Sequence, residues 1–183
     1  ATIDDIPFVL ATMRGREINM VATIHHAEHS MAVVARRGRQ IESEADLAGK
    51  RIGVTVGSEG HYFLDRLLAA NSIEKNEVEL INVRPTLIVS AILQGDVDAI
   101  ATWQPHVMDA ARKLDRNRKV FAGQAWPSGR VSHHLVGDQH IVRGNPELAR
   151  RALLALTHAL VAQQVTAGAR HELHVDEAVL VEV

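Results

Sequence analysis

The sequence predicts an α/β fold on a parallel sheet, and three observations carry the prediction. Residues 51–56 alternate as a buried strand, Gly57-Ser58-Glu59-Gly60 breaks it, and residues 61–71 set Phe63 beside Leu67 and Leu64 beside Leu68 at i,i+4 helical spacing. A second strand over 78–83, a second helix over 86–94 and a third strand over 97–101 repeat that alternation. Strands separated by helices join through right-handed crossovers, which makes them parallel neighbours.

The flanking elements follow from the same patterns. Short apolar runs at 18–24 and 31–35 read as strands, with the polar stretch 25–30 as the loop between them and 36–40 as a basic linker. Ser43-Glu44-Ala45-Asp46 opens a short helical turn like a capping box, and Gly49 ends it. In the helix over 86–94, Leu87/Ala91 and Ile88/Ile92 share one side and Gly95 stands at C′. Pro105 sits in the first turn of a helix over 105–114, and 115–119 is a charged turn. A short apolar piece, a Pro/Gly stretch at 126–129 and a strand centred on Leu135 come next. Asn145-Pro146-Glu147 starts a helix, with Asn as N-cap, Pro at N1 and Glu near the positive dipole end. Leu148, Ala152, Ala155 and Ala159 recur along it to about Gln164.

Composition excludes several classes. With 46% hydrophobic and 23% charged residues the chain folds as a globular protein. Lys+Arg at 20 against Asp+Glu at 22, with no basic block, leaves no general nucleic-acid footprint. No apolar run reaches the roughly 18 residues of a membrane span, and no basic n-region precedes an h-region, so a soluble chain with any targeting peptide removed is expected. The absence of cysteine excludes thiol catalysis, disulfides and Cys-based zinc sites. Aromatics are only 3%, so Leu, Ile, Val and Ala must build the core, while 11 histidines are candidates for ligation.

Gly57-Ser58-Glu59-Gly60-His61 is the segment with most chemistry. Its glycines permit close backbone approach, and helix-terminal N–H groups beside the Ser58 hydroxyl suit an oxyanion. The same residues also suit a plain capped turn. It is not a Walker loop, since no Gly-Lys-Ser/Thr follows, and Glu59 argues against a triphosphate. His25 and His29 would share a face if helical, but no third ligand is fixed, and His171-Glu172-Leu173-His174 is one residue short of His-Glu-x-x-His. No metal and no cofactor are assigned. In His133-His134 alternate strand side chains face opposite ways, so one imidazole can reach a site.

Together, Asp46-Leu47-Ala48-Gly49-Lys50-Arg51-Ile52-Gly53-Val54 before the Gly57-Ser58 turn, the run Gly95-Asp96-Val97-Asp98-Ala99 through Trp103 and Pro105, and the opening Asp4-Asp5-Ile6-Pro7 resemble periplasmic substrate-binding proteins of ABC importers for sulfonates, taurine, nitrate and thiamine precursors. The resemblance implies a two-lobed periplasmic-binding-protein type II fold, each lobe an open, mostly parallel sheet flanked by helices. Residues 1–37 and 131–183 would form lobe 1, and residues 38–130 lobe 2. It places Ser58, Glu59, Gly60 and His61, with Thr102, Trp103 and Gln104, against a small anion in an interlobe cleft. Asp4, Asp5, His25, Arg130 and His133 would face it from the first lobe and hinge side. Two alternatives stand beside these roles: Trp103 as a core anchor, and Asp4 with Asp5 as a helix N-cap and its neighbour. Many relatives carry a carboxylate where this chain has Gln104, which leaves the ligand's charge open.

The function so implied is capture of an anionic solute for a membrane permease, by a monomeric, non-enzymatic, periplasmic or lipid-anchored protein that binds no nucleic acid. A thiamine-pyrimidine enzyme of the same superfamily and a ligand-sensing effector domain are the alternatives. The first expects Cys near its site, and the second a DNA-binding domain. In the resembled family a βα unit precedes the Asp4-Asp5 segment, so lobe 1 is expected to be incomplete and the natural protein longer, which intact mass checks.

Overall fold

The computed structural model describes residues 1–28, 30–122 and 130–167. Along them run β1 (Thr2–Asp4), α1 (Asp5–Met13), β2 (Ile18–Glu28), β3 (Met31–Arg36), β4 (Arg51–Val54), α2 (Glu59–Ala70), β5 (Glu79–Asn82), α3 (Ile88–Gln94), β6 (Ala99–Trp103), α4 (His106–Leu114), β7 (Arg118–Phe121), β8 (Arg130–Asp138), α5 (Gln139–Gly144) and α6 (Pro146–Ala167). The chain is mixed α/β and divides into two units, one from Ala1–Ala27 with the described part of Val131–Val183, the other Glu28–Arg130.

The second unit holds a five-stranded sheet in the order β5-β4-β6-β3-β7. β4 pairs parallel with both β5 and β6, as alternation of strand and helix dictates. β3 and β7 join antiparallel. α3 and α4 cover one face, where Ile88, Ile92, Val107 and Ala110 close over Val34 and Ile100. α2 lies against β6 and β3 and buries Phe63, Leu64, Leu67 and Leu68. An aliphatic core results, with a single phenylalanine among its buried residues.

Several boundaries differ from expectation for identifiable reasons. Met31–Ala35 is buried along its whole length, which only an interior strand achieves, and β3 pairs with β6 and β7. It therefore belongs to the second unit, and the changeover lies near Glu28 instead of at residue 37. The polar stretch after Ile24 is not a loop: β2 continues to Glu28, because the His26 Nδ1 meets the Ser132 Oγ of β8 at 3.1 Å and the His25 ring stacks on His133. β4 stops at Val54, as the Thr55 hydroxyl then turns to the Val83 carbonyl (2.8 Å) and the Val56 N–H to Asn82 Oδ1 (3.1 Å). The third parallel strand lies two residues later than its apolar pattern suggests, at Ala99–Trp103. The helix over 86–94 splits into a 3₁₀ turn at Pro85–Leu87 and α3, and residues 118 and 119 of the charged turn enter β7.

The cap signals act as read. The Ser43 hydroxyl and the amides of Ser43 and Glu42 donate to Asp46, which holds that carboxyl below its ordinary range. Gly95 adopts φ +85° as the left-handed residue ending α3, and the Asn145 side chain accepts the Leu148 N–H at 3.1 Å to start α6. On α6, Leu148, Ala152, Ala155 and Ala159 are exposed, and the more enclosed positions are Ala149, Leu153 and Leu156. Trp126, residues 126–129, His29, the side chain of Arg130 and His171–His174 lie outside the described residues.

In the first unit β8 is the central strand between β1 and β2, with Asp4 opposite His133 in the antiparallel β1–β8 register. α1 follows β1 directly, so Asp4 and Asp5 stand at the strand–helix junction beside β8.

Candidate functional site

Two groups of the singled-out residues come together, one in each unit. In the second, Ser58 is the N-cap of α2 and Thr102 ends in β6, both at the carboxyl ends of parallel strands, where open α/β sheets bind ligands. Ser58 Oγ donates to the Thr55 carbonyl at 2.7 Å and accepts the His61 N–H at 3.3 Å, so its hydroxyl proton is already committed to the turn. Its first role is therefore as cap.

Gly60 sits at N2 of α2, where helix N–H groups lack intrahelical acceptors. It is buried, and a β-carbon there would lie 3.0 Å from the Ala101 carbonyl and 3.3 Å from the Thr102 Cα. Glycine is required here for contact between α2 and β6, a reason different from ligand approach. A Gly60→Ala variant is expected to lose about 1–3 kcal/mol from overpacking; a thermal midpoint equal to the parent's would contradict this contact.

Thr102 is fully buried, and its hydroxyl has no hydrogen-bond partner among the described residues. A polar group enclosed in that way is costly unless something satisfies it. Its neighbour is the N-terminal turn of α2, whose orphan donors and dipole favour a negative group. Glu59, at N1, is 1% exposed. His61 is half-buried, and its Nδ1 accepts the Gly57 N–H at 3.2 Å. Trp103 is half-buried with its edge against His106, ring centroids 5.8 Å apart, so it is neither a closed core anchor nor fully open. Gln104 is exposed, and its Oε1 accepts the Met108 N–H at 3.2 Å.

The first unit gathers Asp4, Asp5, His25 and His133. Asp4 pairs with His133, which stacks on His25 at 5.7 Å. Asp4 is the N-cap of α1 by position, but its side chain makes no cap bond. Asp5 accepts from the Ser132 N–H (2.8 Å) and from His134 Nε2 (2.7 Å), while His134 Nδ1 meets Thr23 Oγ1 at 3.0 Å. Adjacent histidines thus take opposite sides of β8, one to each aspartate. Thr23, His26, Ser132 and His134 were not visible as a network, because a cross-strand contact carries no sequence spacing. Among the described residues no three His, Asp or Glu side chains are placed to hold a metal. No helix among them is long and apolar enough to cross a membrane.

The geometry defines an α/β protein in which a helix N-terminus stands at the carboxyl edge of an open sheet. The chain belongs to the NMT1/THI5-like family, whose model matches residues 2–163. It is similar to a protein of Brucella abortus (strain 2308) that bears the name "Putative binding protein", 28% identical over 145 residues that cover 76% of this chain and 43% of that protein. It is also similar to the taurine-binding periplasmic protein of Escherichia coli (strain K12), 31% identical over 115 residues, 63% of this chain and 34% of that protein. Its fold matches the alkanesulfonate-binding protein SsuA of Xanthomonas axonopodis pv. citri, solved with MOPS bound, at a TM-score of 0.75 and 22% identity over 91% of this chain and 57% of that one. The chain thus spans less than half the length of the curated relatives it matches.

Proposed function

We propose that the chain belongs to the solute-binding component of an ABC importer, periplasmic, delivering a small organic anion of the sulfonate type to a membrane permease. One observation carries the reading: the buried Thr102 hydroxyl beside the α2 N-terminus has no hydrogen-bond partner among the described residues, and an oxyanion drawn to that helix terminus would satisfy it. Supporting it are the names its relatives bear, which speak of binding and include that of a taurine-binding periplasmic protein. Ser58 positions the turn, and Trp103 covers the apolar part of the ligand.

Thr102→Val tests it with two readouts of opposite sign. Calorimetry with taurine and ethanesulfonate is expected to show binding weaker by about 1.5–3 kcal/mol, the loss of one hydrogen bond to a charged group. Stability without ligand is expected to be equal or higher, because an unsatisfied buried hydroxyl is gone. Unchanged affinity for whichever sulfonate binds would sink the assignment.

A further inference from the structure

We propose that His61 is the positioning residue of the α2 anion site, acting through the Gly57 peptide and not through its own contact with the ligand; this rests on the reading of that helix terminus given above. Gly57 has φ +81°, a left-handed conformation that a side chain strains, and the turn around it is braced on both flanks. The Ser58 N–H and hydroxyl both go to the Thr55 carbonyl, at 3.1 and 2.7 Å, and the Val56 N–H goes to Asn82. Among the described residues the Gly57 N–H has no backbone acceptor, and His61, one helical turn ahead, supplies Nδ1 at 3.2 Å. A backbone N–H only donates, so Nδ1 must be the unprotonated nitrogen, and the neutral ring carries its proton on Nε2.

This bond decides which way the Val56–Gly57 peptide faces. Glycine at positive φ has a low barrier to alternative backbone states, so without Nδ1 the peptide is free to rotate and carry the start of α2 with it. The donors of a helix-terminus site are useful only when held in place before the ligand arrives. A residue that touches no ligand atom can therefore set the site's affinity.

The test compares His61→Asn, whose amide oxygen takes the place of Nδ1, with His61→Gln, whose amide reaches the place of Nε2. In the ligand-free chain, amide exchange by NMR is expected to show Gly57 protected in the parent and in the Asn variant, and exchanging at least tenfold faster in the Gln variant. The His61 ring nitrogens of the parent are expected to show the signature of the neutral Nε2–H form. Equal Gly57 exchange in all three proteins would overturn the proposal without touching the anion-binding reading. With ethanesulfonate as probe, binding is expected to fall at least tenfold for Gln and less than threefold for Asn. The reverse order would mean that Nε2 contacts the ligand, and overturns it. If the parent binds neither taurine nor ethanesulfonate, the proposed function fails and with it the anion-site role of His61, whereas the Gly57 exchange still reports whether the lock exists.

Discussion

Replacing Asp98 by alanine is expected to cost about 2–4 kcal/mol at neutral pH, the largest single effect outside the aliphatic core. Asp98, 8% exposed, lies just before β6 and accepts from the first residue of β4: the Arg51 N–H at 3.1 Å, Nε at 3.3 Å and Nη2 at 3.0 Å. Arg39 adds a contact at 3.1 Å. Burial is the strongest influence on this carboxyl and pushes its pKa up, but the hydrogen bonds and charge of Arg51, with the charge of Arg39, outweigh it and hold the pKa below the usual range. Both arginines are over a third exposed and regain water when Asp98 is lost, which keeps the cost below that of a fully buried pair. A depressed carboxyl contributes stability that is fully present above its unfolded pKa, about 3.9, and lost as pH falls through the lower folded value. Denaturant unfolding of parent and variant should therefore show a gap that narrows progressively below about pH 4. A gap of the same size at pH 3 and pH 7 would assign the loss to packing instead of charge.

His134→Ala is expected to be the next most damaging change, about 2–4 kcal/mol, while Asp4→Ala, only one residue away from the same network's Asp5, should cost no more than about 1 kcal/mol. The contrast is one of burial. His134 is 4% exposed, fills space between β2, β8 and α1 beside Phe8, and satisfies both Asp5 and Thr23, so its removal leaves a cavity and a stranded hydroxyl. Asp4 and His133 form a similar pair with side chains 32% and 38% exposed, where water replaces either partner. Urea unfolding of the two variants decides it, and equal losses would show that the two aspartate–histidine pairs contribute alike.

The parallel core of the second unit was legible from local information alone. Apolar alternation, helical i,i+4 pairs and the Ser58, Gly95 and Asn145 caps all act within a few residues of themselves, so β4, α2, β5, α3 and β6 could be named before any contact was known. The Gly57–His61 turn and Thr102–Trp103 were likewise legible as candidates, since strand ends and helix starts in such sheets are where ligands bind.

What these residues do there depended on neighbours distant in sequence. Gly60 is needed for Ala101, over 40 positions away, and the Thr102 hydroxyl matters because none of the described residues satisfies it. β3 belongs to the second unit because β6 and β7 bury it on both edges, and β2 extends through its histidines because β8 supplies partners for polar rings that otherwise read as a loop. The sequence by itself determined where the strands and helices of the parallel core form and which turn could hold an anion, because propensity, capping and periodicity are short-range. Strand pairing, the burial of Asp98 and His134, and the split of Asp4 and Asp5 between an exposed and a buried histidine were decided only by tertiary structure, because desolvation and hydrogen-bond satisfaction exist only once distant segments meet.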